Sequence, residues 1–184
     1  MESNKSINVG LILKSPINEF NKISQIKSKK EITEIILKLK MGEVDLGYLL
    51  GKDKEIKLYF LDNTKFYDLH EEHFHDNLKE LNKENTKIYI NNEEYDYCKY
   101  IPTKKVDELF EIRIKINFKM KDFSFMFCSC VHIIDMNLSS FDTLEVINMN
   151  HMFCNLMHID NLDLSSFDTH NVSYMSFLFQ KVNL

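Results

Sequence analysis

Glycine is nearly missing from this 184-residue chain. It occurs four times, at Gly10, Gly42, Gly47 and Gly51, and never again. Tight turns lean on glycine because it reaches positive φ without a steric penalty, so the turns after residue 51 are expected to use Asn, Asp and Ser instead. Long apolar runs are missing too. Nothing approaches the roughly 20 consecutive apolar residues of a membrane helix, so no membrane span is expected. The opening MESNKSINVGLILKSPINEF holds only a short apolar run before Lys14, less than a secretory signal needs. The chain as it stands is therefore expected to be soluble and cytoplasmic, with its thiols reduced. An excess of positive charge is also absent: the net charge is −5, which gives no footprint for nucleic acid.

Catalytic signatures are equally scarce. There is no P-loop, no Gly-x-Ser-x-Gly and no His-Glu-x-x-His. Four cysteines are present, Cys98, Cys128, Cys130 and Cys154, but the single CxC has no second pair to complete a zinc or redox motif. The cluster His70-Glu71-Glu72-His73-Phe74-His75-Asp76 is the nearest approach to a metal site. Its histidines lie three and five residues apart, so none forms the i, i+4 pair of a zincin helix, and a solvated loop is the expected reading. No catalytic residue, metal or cofactor is assigned, and the chain is read as not an enzyme.

What the chain does have is distributed unevenly. After residue 119 the only cations are Lys121 and Lys181, against seven acids, so the whole net negative charge sits in the last third. The N-terminal part is mixed. Ile32, Ile35, Ile36 and Leu39 recur at i, i+3, i+4 and i+7, which favours a helix, although the β-branched residues also allow a strand. IKLYFL at 56–61 reads as a strand. TKIYINNEEYDYCKYI at 86–101 reads as a hairpin turning at Asn91-Asn92, with Pro102 ending the run. FEIRIKINF alternates strictly, placing Phe110, Ile112, Ile114, Ile116 and Phe118 on one face of a strand.

The last third is a tandem repeat. Residues 126–151 and 152–177 align over 26 positions with 13 identities, including an unbroken LSSFDT at 138–143 and 164–169. A third copy begins at Leu178-Phe179 and stops at Leu184, in mid-unit, as expected of a piece of a longer protein. Ile133-x-x-Met136-x-Leu138 and Ile159-x-x-Leu162-x-Leu164 have the L-x-x-L-x-L form of a leucine-rich-repeat strand. On that strand Met136 and Leu138 point inward, while Asp135, Asn137 and Ser139 point outward, followed one unit later by Asn161, Asp163 and Ser165. Phe141 and Phe167 turn the corner. Val146, Met149, Met152 and Phe153 then suggest a short helical or 3₁₀ return.

The string M-F-x-x-C/L-x-x-I-x-x-L-x-L-S-S-F-D-T-x-x-V-x-x-M resembles the BspA-type leucine-rich repeats of bacterial, mycoplasma and protist surface proteins. The resemblance covers about residues 118–184. The stretch 56–116 looks like the β-rich segment preceding such repeats in some protist-type proteins. The resemblance implies a right-handed β-solenoid-like array, a role in adhesion or protein–protein contact, a cell-surface setting and no catalytic residues.

The expected architecture is thus α+β. A mixed, β-rich capping domain over 1–117 precedes a short leucine-rich-repeat-like β-solenoid over 118–184, with two full copies, a truncated third and an unpaired C-terminal edge. The outward row Asp135, Asn137, Ser139, Asn161, Asp163 and Ser165 is the candidate surface for an unidentified protein partner. Two further pairs fall in register. Cys128 and Cys154 would stack about 5 Å apart, close enough for a disulfide, although a ladder of small apolar side chains is the expected reading. Cys130 sits at the cysteine position of the family unit and is replaced by Leu156 one unit later, as a buried apolar slot allows. His132 and His158 are expected as surface decoration, or as a pH-sensitive pair.

Overall fold

The structure is a computed structural model that describes residues 6–8, 32–40, 56–64, 78–103 and 109–182. The His70–Asp76 cluster lies outside the described residues. In chain order the strands are β1 (Ser6–Asn8), β2 (Thr33–Lys40), β3 (Ile56–Tyr59), β4 (Thr86–Ile90), β5 (Glu93–Tyr95), β6 (Tyr100–Thr103), β7 (Leu109–Ile116), β8 (Ile133–Ser140) and β9 (Asn161–Asp163). Five of them form an antiparallel sheet in the order β5-β4-β7-β2-β8, while β3 pairs with β6 and β1 pairs with β9.

Several expectations hold at this level. The hairpin forms around Asn91 and Asn92, both at positive φ (50° and 71°), the geometry that two-residue hairpin turns demand. Strand β7 buries Phe110, Ile112, Ile114 and Ile116 on one face, while Phe118, expected on the same strand, lies beyond its end and is half-buried.

The helix over residues 32–39 is not there. That segment is β2, an inner strand of the sheet between β7 and β8. Its buried side chains are Thr33, Ile35, Leu37 and Leu39, a period of two, while Ile32 is 54% exposed. A helix would satisfy its own backbone, but it would leave the facing edges of β7 and β8 unpaired. Pairing on both sides decides for the strand.

The α+β expectation is overturned as a whole, because the described residues contain strands, turns and coil but no helix. The leucine-rich-repeat-like β-solenoid is overturned with it. In such an array the strands of successive units pair with each other, whereas here β8 runs antiparallel beside β2 and β9 runs parallel beside β1. The strands β8 and β9 lie near each other without sharing a sheet, and Asp160 N–H, just before β9, donates to the Ile134 carbonyl at 3.3 Å.

The 26-residue period survives in a different element. Between residues 122 and 182 the chain forms stacked turns whose backbone bonding alternates residue by residue. Phe123, Phe125, Phe127 and Ser129 donate their N–H groups to the carbonyls of Asn148, Asn150, Met152 and Cys154, at 2.8–2.9 Å. Met149, His151, Phe153 and Asn155 repeat this towards Tyr174, Ser176, Leu178 and Gln180, at 2.7–3.1 Å. The intervening residues bond locally, as in Met152 to Met149 and Cys154 to His151. This explains the missing helical return over 146–153. Every second N–H is committed to the next turn, so a run of i to i−4 bonds cannot form.

The ladder begins on the N-terminal half. Asp62 and Asn63 donate to the carbonyls of Met126 and Cys128, where a preceding repeat would otherwise bond. At the far side β1 lies parallel to β9, with Ser6, Ile7 and Asn8 opposite Asn161, Leu162 and Asp163. The strand edge expected to be unpaired is therefore occupied by the start of the chain. A single apolar core extends through both parts, from Leu37 and Ile114 in the sheet to Phe127, Phe153 and Leu162 in the repeats.

Candidate functional site

The outward row is exposed at all six positions: Asp135, Asn137, Ser139, Asn161, Asp163 and Ser165. Strand alternation puts them there, with Met136, Leu138, Leu162 and Leu164 buried between them. Part of their bonding capacity serves the fold. Asn137 Oδ1 accepts the Ser139 N–H at 3.0 Å, and Asp163 Oδ1 accepts the Ser165 N–H at 2.9 Å. The same small turn thus recurs one repeat later. The bonds from Ser165 hold the Asp163 carboxyl below its ordinary range. Asp135 is 2.8 Å from Lys38 Nζ, so its charge is matched by β2 rather than left to solvent. The hydrogen bond and charge of Asp135 in turn raise the pKa of Lys38.

The two histidines placed in register are not equivalent. His132 is buried and His158 is exposed, so they do not form a surface pair. Cys130 is buried at 0% exposure and so is Leu156, as an apolar slot requires.

Cys128 and Cys154 do meet. Both are free thiols. The backbone bonds Phe127 N–H to Met152 O (2.9 Å) and Ser129 N–H to Cys154 O (2.8 Å) bracket them, so the two side chains stand side by side on adjacent turns. Cys128 is buried and lies 3.6 Å from Ser129 Oγ, while Cys154 is half-buried, 3.8 Å from Gln180 Oε1. The hydrogen bond from Cys128 is the main reason that Cys154 is pulled down to about 6, with His151 and Lys181 adding to it. The same bond, together with burial, pushes Cys128 far above the ordinary thiol range.

His151 is the neighbour that sequence reasoning missed. It belongs to a surface column of stacked rings. Phe125 and His151 are 4.7 Å apart at 8°, and His151 and Phe177 are 4.9 Å apart at 24°. All three residues have positive φ (60°, 55° and 56°). Ser129, Asn155 and Lys181 form a second such series, at 58°, 62° and 56°. The glycine-free turns therefore use Ser and Asn at two of these six positions, as expected, and aromatic or basic residues at the other four. The signal that points to His151 is its alignment at 26-residue spacing with Phe125 and Phe177, the only non-phenylalanine in that column.

Residues 110–184 match the family model described as Mycoplasma protein of unknown function, DUF285.

The match spans the last strand of the N-terminal half and the whole of the repeats, and its description assigns no activity. No curated protein and no solved structure matches the chain. Among the described residues no helix is long and apolar enough to cross a membrane. No group of three or more His, Cys, Asp or Glu side chains among them is arranged to hold a metal ion.

Proposed function

We propose that this chain is a non-enzymatic protein-interaction module that meets a protein partner through the outward row of its repeats. The observation that carries this reading is the pair of identical turns at Asn137–Ser139 and Asp163–Ser165, which hold exposed polar side chains at fixed places on a buried apolar base. Side chains that need not rearrange lose little conformational entropy on binding. The resemblance to BspA-type surface proteins supports adhesion or contact at a cell surface, and the likeness to a mycoplasma repeat family is compatible with it.

Asp163 is the residue to test, because the charge of Asp135 is already paired with Lys38. Partners retained by the immobilised chain from a homogenate of the source cells are identified and their affinities measured. Asp163→Lys is expected to weaken the specific partner by about tenfold or more, the loss of one charge-assisted contact together with the new repulsion. Unchanged affinity with Asp163→Lys and Asn137→Ala together removes the row as the binding surface.

A second reading is a scaffold in which the repeats act as a spacer. It is favoured by β8, which is an integral strand of the five-stranded sheet and binds Lys38 through Asp135. On that reading the row variants leave partner capture intact, and variants in the N-terminal half remove it.

A further inference from the structure

We propose that Cys154 and Cys128 are a redox-responsive dithiol, in which Cys154 is attacked first by a peroxide and Cys128 resolves it to a disulfide joining two stacked turns.

The geometry carries the proposal. The two bracketing backbone bonds hold the segments as hydrogen-bonded neighbours, a spacing of about 4.8 Å. That lies inside the roughly 4.4–6.8 Å between Cα atoms that a disulfide accepts. Residues 128 and 154 hold the same place in successive turns, so their side chains leave the stack on the same side. The two thiols also differ in the sense the chemistry needs. Cys154 is half-exposed and open to a small oxidant, and His151 and Lys181 favour its thiolate. Cys128 is buried behind it, against Ser129. His151 is held between the rings of Phe125 and Phe177, so its imidazole has little freedom to leave. The other cysteines lack this arrangement. Burial raises both Cys98 and Cys130, and Cys130 Sγ donates instead to the Cys128 carbonyl at 3.7 Å.

The chemistry balances with hydrogen peroxide as oxidant. The Cys154 thiolate attacks one peroxide oxygen, the O–O bond breaks, and the departing hydroxide takes a proton to leave as water. Cys154 is then a sulfenic acid. The Cys128 sulfur attacks the Cys154 sulfur, the S–O bond breaks, and the hydroxide leaves as a second water with the proton of the Cys128 thiol. The two thiols together lose two electrons, and one peroxide becomes two waters. The product closes a 26-residue loop and ties one repeat to the next, which restricts the unfolded chain.

The test uses the full chain. Alkylation by iodoacetamide is followed residue by residue with mass spectrometry as a function of pH. The thiolate is the reactive form, and a depressed pKa keeps it present at lower pH. Cys154 labelling is therefore expected to rise through about pH 6. At pH 7 it is expected to exceed Cys98 labelling at least about tenfold. After stoichiometric peroxide, peptide mapping is expected to find Cys128 joined to Cys154, and the oxidised chain to melt at a higher temperature than the reduced one. In Cys128→Ser the reaction should stop at a Cys154 sulfenic acid that dimedone traps. His151→Phe keeps the ring column, and should move the Cys154 labelling profile to higher pH. Labelling of Cys154 no faster than Cys98 overturns the proposal. So does peroxide treatment that leaves Cys128 a free thiol while Cys154 is oxidised. The pH profile is measured on the unaltered chain, so the test stands even where a variant fails to fold.

Discussion

Thr143 shows how much one hydroxyl does in a stacked repeat. It is buried, accepts the Asp168 N–H at 2.7 Å and donates to the Asp168 carbonyl at 3.0 Å, tying the end of one LSSFDT to the end of the next. Thr143→Val keeps the shape and removes both bonds, leaving two backbone groups of Asp168 without this partner. It is expected to cost about 1–3 kcal/mol in urea denaturation, whereas Thr143→Ser should cost less. The equivalent Thr169 is only half-buried, so Thr169→Val should be the milder change. Equal effects at both positions would show that the hydroxyl is not the tie. The threonine is visible in the sequence as part of an identical six-residue string, but its role is not. Spacing says that Thr143 and Asp168 belong to adjacent repeats, and only the stacking distance shows that they bond. The same holds at the cysteine pair. Register predicts that Cys128 and Cys154 meet, while the burial that separates their roles comes from their surroundings.

At the scale of the element, the hairpin was legible and β2 was not. Asn91-Asn92 between two alternating runs names its own turn, because asparagine tolerates the positive φ that the turn requires. Asn91 is further held by its Oδ1, which accepts the Glu111 N–H at 2.9 Å. Asn92 Oδ1 accepts only a longer, exposed bond from Arg113 Nη2 at 3.4 Å, and Asn92→Gly is expected to raise stability by a few tenths to about 1 kcal/mol. Asn92→Ala should lower it by about 1 kcal/mol. Paired thermal melts of the two variants check the sign, and a loss with glycine would contradict this account of the turn. Strand β2 failed as a sequence reading because its apolar residues satisfy both periods, three to four and two. What separates them is whether partners stand on both sides, and those partners, β7 and β8, are about 75 and 100 residues further along the chain. The return over 146–153 failed for a related reason. Apolar spacing suggested a helical turn, but its alternate N–H groups are taken by residues 25 positions away.

At the scale of the whole molecule, both sides of the repeats are met by the N-terminal half. Asp62 and Asn63 bond to the first turn, and β1 lies along β9. An unpaired strand edge invites pairing with a second chain. Deleting residues 1–8 is therefore expected to expose the β9 edge and to produce concentration-dependent self-association in size-exclusion chromatography with light scattering. A monomer at all concentrations would show that β1 does not protect this edge. The apolar surface at Tyr174, Met175 and Phe177 remains exposed in either case, at 58%, 45% and 60%. It sits where a further turn would stack.

The sequence by itself determined the 26-residue period, the inward and outward faces of Ile133–Ser140, the hairpin at Asn91-Asn92 and the apolar face of Leu109–Ile116. Each of these is a local pattern, set by side-chain alternation or by the conformations one or two residues tolerate. Tertiary structure alone decided that β8 joins the sheet beside β2, that β1 pairs with β9, that the repeats stack through turns instead of a shared strand ladder, and that His151 stands beside Cys154. Each of those depends on which distant backbone group satisfies a given N–H or carbonyl, and local periodicity carries no record of that choice.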